Sequence, residues 1–216
     1  NVAAAQAFGI PAENCLAMAD WVGGRFSLWS AIGLPLACGI GMDAFEGLLA
    51  GARVMDEHFL SAPFAENLPV MMALVGLWNI DFLDAGSLAV IPYAHRLGLL
   101  PAYLQQLEME SNGKRVTLDN AEVGCATAPI VWGMAGSVGQ HAFHQLFYQG
   151  TRLTPIDFVV PVGDARPEQE ALVANALAQS AAVMKGKTLE EAKRQWLAAG
   201  KTEAEAARLA PHLACP

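Results

Sequence analysis

The sequence predicts an α/β protein built on a largely buried sheet, and three observations lead there. Short continuous apolar runs, bounded by glycine, proline or polar residues, alternate with longer stretches of helical periodicity. Hydrophobic residues make up 54% of the 216 residues and charged residues only 16%, against about 25% in an ordinary domain. Two long segments, Phe26–Met42 and Val123–Thr151, carry no Asp, Glu, Lys or Arg at all. A chain this poor in charge covers much of its surface with further polypeptide or with a partner subunit.

Taken in order, Leu16–Trp21 reads as the first core strand. Asp43–Phe59 and Leu68–Phe82 follow as helices, and Leu88–Tyr93 as a second strand. Pro101–Met109 is a shorter helix with proline at its opening, where the missing N–H costs nothing. The loop Ser111–Val123 contains Asn112-Gly113, a strong turn signal. Ile130–Gly133 and Ile156–Pro161 are the remaining strands, separated by a helix that Ser137 can cap and that runs to about Gln149, with Gly150 as its stop. Glu168–Met184 is an Ala-rich helix ended by Gly186, and two capping boxes follow, Thr188 with Glu191 and Thr202 with Glu205. These last helices have ordinary surface pairs such as Glu190 and Arg194, so the tail is solvated whereas the middle is not.

Composition also excludes function classes. The net charge of −8 disfavours a nucleic-acid or anionic-membrane surface. Neither uncharged segment suits a membrane span: the first contains Gly33, Pro35, Gly39 and Gly41, the second Pro129, several glycines, and His and Gln side chains. Cys15, Cys38, Cys125 and Cys215 lack C-x-x-C spacing, so reduced thiols in a cytoplasmic protein are expected. No secretory leader is legible, and a start at Asn1 rather than Met points to residues upstream.

Three constellations can carry chemistry. Asp20-Trp21-Val22-Gly23-Gly24-Arg25 runs a strand end into paired glycines, where backbone can approach a ligand and Arg25 can offer a planar fork to an oxyanion. The plainer reading is a tight turn whose Arg25 pairs with Asp20. On the helix Pro101–Met109 and just beyond it, Gln106 and Glu110 lie one turn apart, so an amide and a carboxylate can reach one polar ligand. Glu110 sits at the helix end, where the negative end of the dipole favours its protonated form, as suits a general base near neutrality. The plainer alternative is a solvated helix end.

The third runs from Ile130 to Gln145: a strand, a glycine-rich bend and a helix N-terminus, a natural platform for an anion. Its G-x-x-G-x-x-G spacing over Gly133, Gly136 and Gly139 is no dinucleotide fingerprint, and no acidic residue follows at the required distance, so no nicotinamide cofactor is expected. His141 and His144, spaced i,i+3, can share a metal, but no third ligand at sensible spacing accompanies them and none is expected there.

Together these segments closely resemble the glucose-6-phosphate isomerase (phosphoglucose isomerase) family. The resemblance is carried by DWVGGRFSLWSAIG at Asp20–Gly33, YLQQLEMESNGK at Tyr103–Lys114, GQHAFHQLFYQGT at Gly139–Thr151 and ANALAQSAAVMKGK at Ala174–Lys187. It implies a three-layer sugar-isomerase (SIS-like) α/β fold with a mainly parallel sheet flanked by helices, incomplete in this chain. Residues 1–42 would be the end of the first sugar-isomerase domain and the crossover, and residues 43–216 most of the second. The implied reaction interconverts glucose 6-phosphate and fructose 6-phosphate through a cis-enediolate without a cofactor.

By the same resemblance Glu110 is the base that moves a proton between C2 and C1, Arg25 stabilises the enediolate, and His141 assists ring opening. Gln106 and Gly24 fall on substrate-contacting positions. The family is a homodimer in which the ring-opening histidine is donated across the interface, so His141 and Glu110 of one chain would serve different sites. Two positions depart from the family's GEPGTNGQH: an acidic residue becomes Met134 and an asparagine becomes Val138. Family members are more than twice as long, and their phosphate-gripping Ser/Thr-rich loops and catalytic lysine have no counterpart here. An internal piece of a larger enzyme, inactive by itself, is therefore expected. A divergent isomerase, or a sugar-phosphate-binding member without activity, is the alternative; retention of Arg25, Gln106, Glu110 and His141 together speaks against decay.

Overall fold

The computed structural model describes residues 1–163 and 167–215. Its described residues fall into two compact units, Asn1–Val75 and Gly76–Pro216.

The first unit is helical. A short helix α1 (Val2–Ala7) is followed by 3-10 turns at Gly24–Trp29 and Ala31–Gly33 and by α2 (Leu34–Ile40). The strand expected at Leu16–Trp21 does not form: the segment is irregular, with Leu16 60% and Trp21 86% exposed. Its apolar residues fit a pleated surface, but a strand exists only when a neighbour takes its backbone hydrogen bonds, and among the described residues nothing pairs with it. Gly41 turns the chain at φ 86° into α3 (Met42–Ser61), two residues longer than the sequence indicates at its C-terminal end. Asn67 then ties the corner, its amide donating to Phe59 O (2.8 Å) and its carbonyl accepting from Val70 N (3.3 Å). His58 Nε2 accepts the Leu68 N–H at 3.0 Å, satisfying one of the orphan donors of α4 (Leu68–Leu77). α4 is apolar on every side, and none of its residues is buried within this chain. The expected helix over Leu68–Phe82 holds along its length but widens into a π-helical turn at Trp78–Phe82.

The second unit contains the sheet. β1 (Ser87–Pro92) lies between β2 (Ile130–Trp132) and β3 (Ile156–Val159), in the order β2-β1-β3, with both pairings parallel. Ser87 is in register with Ile130, and Ala89 with both Trp132 and Ile156. The three expected strands in this unit thus form, and β1 reads as an unbroken apolar run because it is central and enclosed on both faces. Alternate residues Ala89, Ile91 and Tyr93 point into the core against Ala176 of α8 (Pro167–Lys185), with Trp132, Phe143, Phe147, Phe158 and Leu172 closing around them. Burial pushes the Asp157 carboxyl, in the middle of β3, above its ordinary range.

Between β1 and β2 runs α5 (Leu100–Leu104), which passes directly into a π-helical stretch over Gln105–Glu110. Between β2 and β3 the single helix expected from Ser137 to Gln149 is broken. A one-turn α6 (Gly136–Gly139) begins at Ala135 with no side-chain cap, and a turn separates it from α7 (His144–Gln149). Ser137 therefore does not cap this element. Close packing explains the break: a Cβ on Gly136 would lie 2.3 Å from the Tyr93 ring and one on Gly139 2.7 Å from Phe143, so the glycines pin α6 against neighbours that a continuous helix would have to leave.

Both capping boxes form, at the N-termini of α9 (Leu189–Ala198) and α10 (Glu203–Leu209). Backbone and hydroxyl donors of Thr188 and Thr202 hold the Glu191 and Glu205 carboxyls below their usual pKa. Carboxylates with depressed folded pKa stabilise the folded state above their unfolded pKa, about 4.3 for Glu, and lose that contribution as pH falls through the lower folded value. The first turns of α9 and α10 should therefore fray selectively below about pH 4.3, read as faster amide exchange at Glu191 and Glu205 than in the middle of α8.

Candidate active site

Gly24 and Arg25 lie in the first unit. Gly23 is extended (φ −68°, ψ 147°) and leads into the 3-10 turn Gly24–Trp29, which Ser27 closes by donating its Oγ proton to Gly24 O at 2.6 Å. A Cβ placed on Gly24 meets nothing within 4 Å, and Gly24 is exposed, so nothing in this unit crowds its backbone. Arg25 follows, half-buried, at the second position of that turn.

Gln106, Glu110 and His141 belong to the second unit. Gln105 Nε2 donates to Val131 O (3.1 Å), and the Val131 N–H approaches Met109 Sδ (3.4 Å), so positions 105 and 109 face β2. The residue after each of these turns away from the sheet, and the same four-residue spacing sets Gln106 and Glu110 side by side on an exposed face. The π-helical hydrogen bonding here, which the sequence does not announce, widens the turn that carries both, and π turns recur at functional sites. Glu108 is occupied differently, accepting from Asn112 Nδ2 at 3.0 Å. Lys114 reaches back to donate from Nζ to the Glu110 carbonyl, which places a cation at the helix C-terminus where the dipole favours it. Gly113 permits this ending, since a Cβ there would come within 2.2 Å of Met109 O.

His141 sits in the turn between α6 and α7, exposed, with its backbone N–H on Val138 O at 3.2 Å. The glycine-rich bend before it is explained by packing. Gly133 has φ 148° and a Cβ position 2.0 Å from Val90 O, so β2 leaves the sheet in contact with the β1 backbone. All three glycines of the expected platform are thus used to seat the turn. The i,i+3 histidines have different surroundings: His141 is exposed, whereas His144 is 4% exposed among Phe143, Phe147 and Tyr148. The burial of His144 among these rings, and the contacts of its neighbours Gln140 and Tyr148 with Asn175 and Gln179, are what residue spacing did not reveal.

These features define an α/β chain of parallel strands that presents a carboxylate, an amide and an imidazole beside one small sheet. Comparison with known proteins identifies the family. A family model described as phosphoglucose isomerase matches residues 1–214, and the chain belongs to that family. A glucose-6-phosphate isomerase of Aromatoleum aromaticum is 60% identical over 214 residues, which is 99% of this chain and 39% of that one. A second, from Stutzerimonas stutzeri, is 53% identical over all of this chain and 40% of its own length. The crystal structure of a glucose-6-phosphate isomerase from Chlamydia trachomatis is similar with a TM-score of 0.73 and 34% identity, covering 86% of this chain and 42% of that one. The chain thus spans about two fifths of the length of the curated relatives it matches. Among the described residues no helix is long and apolar enough to cross a membrane.

Proposed function

We propose that the enzyme to which these residues belong interconverts glucose 6-phosphate and fructose 6-phosphate, an isomerisation of glycolysis and gluconeogenesis, in the cytoplasm and with no cofactor. Residues 1–42 close its first sugar-isomerase domain and residues 43–216 form most of the second. The observation that carries the reading is the pairing of Gln106 and Glu110 on one exposed face of a π turn anchored to β2 through Gln105 and Met109. A carboxylate on such a rigid support can take the proton from C2 and return it to C1 with little movement. Gln106 holds a sugar hydroxyl beside it.

As the proton leaves, charge develops on the C1 and C2 oxygens, and the guanidinium of Arg25 balances it without reorganisation. Gly24 offers uncrowded backbone to the same substrate. His141, exposed on its turn, exchanges the proton that opens the sugar ring, and serves the neighbouring site of a homodimer. The phosphate is gripped by parts of the enzyme outside these residues, which accords with an anionic substrate and a chain of net charge −8.

The reaction itself is tested on the full-length enzyme in deuterium oxide. While Glu110 holds the migrating hydrogen as a carboxyl proton it can exchange with solvent, so some deuterium should appear at C2 of glucose 6-phosphate and C1 of fructose 6-phosphate. Partial retention is expected of a single base that returns the proton it took, whereas deuterium incorporation that is undiminished in Glu110→Gln overturns the role of Glu110. The 216 residues alone should show little or no turnover; ready turnover by them would place the phosphate grip within this chain.

A further inference from the structure

The turn that bears His141 is fastened at both ends, and one fastening is a buried histidine to which no role has been given. At the start, Gln140 Nε2 donates to Asn175 Oδ1 of α8 at 2.6 Å. At the end, His144 opens α7 with its imidazole enclosed by rings: Phe147 at 5.2 Å, Phe143 at 5.9 Å and Tyr148 at 6.3 Å between centroids. Tyr148 Oη in turn donates to Gln179 Oε1, again on α8, at 2.6 Å. Phe143 completes the anchorage by standing edge-on to Trp132 of β2 at 4.8 Å.

The enclosed imidazole is an unusual choice. His144 Nε2 is buried without a hydrogen-bond partner among the described residues, a cost that a phenyl ring in the same space would avoid. Burial also pushes its pKa below the usual histidine value, with the Gln179 side chain opposing more weakly, which favours the neutral ring. A costly polar ring kept beside a proposed proton-transfer residue has a reason in geometry. Fixing the start of α7 fixes the three preceding residues, because Leu146 N–H bonds to Phe143 O and Phe143 N–H to Gly139 O.

We propose that His144 is a positioning residue for His141, its buried imidazole locking the α6–α7 turn so that His141 is presented in a single orientation for proton transfer. The inference rests on the reading of His141 as the ring-opening group, and it extends that reading to a second residue. His144 does not touch substrate; its effect passes through Phe143 and the turn.

The test is a double-mutant cycle in the full-length enzyme with His141→Gln and His144→Phe, in which kcat, KM and the pH dependence of kcat are measured for glucose 6-phosphate. His141→Gln should lower kcat and remove one limb of the pH profile; no change there overturns the reading of His141 and leaves His144 nothing to position. With that loss in hand, His144→Phe should lower kcat about 10–100-fold at nearly constant KM and displace the same limb. In the double variant it should add little further loss, as coupled residues do. Additive losses with an unmoved limb, or an unchanged kcat in His144→Phe, overturn the inference while leaving His141 in place. Where His144→Phe fails to fold, His144→Gln takes its place, is measured in the same cycle and is judged by the same outcomes.

Discussion

Replacing Glu110 by Gln in the full-length enzyme is expected to lower kcat by roughly 10²–10⁴-fold, the range typical of general base catalysis, with the fold intact. The substitution keeps the length of the side chain and removes its charge and its capacity to accept a proton from carbon. Glu110 is exposed, and Lys114 donates to its backbone carbonyl, a contact the substitution retains. Gln105 and Met109 continue to hold the π turn on β2. Substrate contacts common to ground and transition states are also retained, so KM should move far less than kcat. Glu108→Gln is the control: that carboxylate, two residues before Glu110, is engaged by Asn112, and the variant should keep most of its activity. Undiminished turnover in Glu110→Gln, or a larger loss in the control, removes Glu110 from the role of base.

The second large effect is on stability. Gly133→Ala should destabilise the enzyme by roughly 2–6 kcal/mol, combining a backbone conformation that L residues rarely adopt with overpacking. The new methyl would sit 2.0 Å from Val90 O and 3.0 Å from Val90 N, atoms of the central strand that cannot shift without disturbing both β2 and β3. Since whole domains are stable by only about 5–15 kcal/mol, loss of soluble enzyme or a large drop in the urea midpoint is the expected reading. Gly124→Ala, in an exposed loop with nothing within 4 Å of the added Cβ, should fall within about 0.5 kcal/mol of the parent. Equal midpoints for the two variants would mean that the close approach of β2 to β1 carries no weight.

What residue pattern could and could not reveal follows from the range of the interactions involved. The capping boxes at Thr188 and Thr202 were legible because four consecutive residues contain both partners. β1 was legible because a central parallel strand is apolar on both faces and needs no knowledge of its neighbours. Leu16–Trp21, LAMADW, is also mostly apolar yet forms no strand, because pairing depends on residues remote in sequence. The i,i+4 spacing exposed the Gln106 and Glu110 pair, whereas the π widening beneath it accompanies a hydrogen bond to Val131, 26 residues from Gln105, a contact with no local signature. The break at Gly139 is similar: the run from Ser137 to Gln149 has acceptable helical propensity, and only the rings of Tyr93 and Phe143 make its glycines a seat instead of a helix start. His144 was visible merely as half of an i,i+3 pair; its importance lies in an enclosure built by β2, α7 and α8 together.

One last consequence concerns α4. An amphipathic helix carries its own compass, since the polar stripe dictates which way it turns about its axis. Leu68, Met72, Leu74, Val75 and Leu77 spread apolar surface around the whole circumference of α4, so its sequence encodes no preferred rotation. The rotational setting of this helix is therefore decided by whatever packs on it and not by its own sequence.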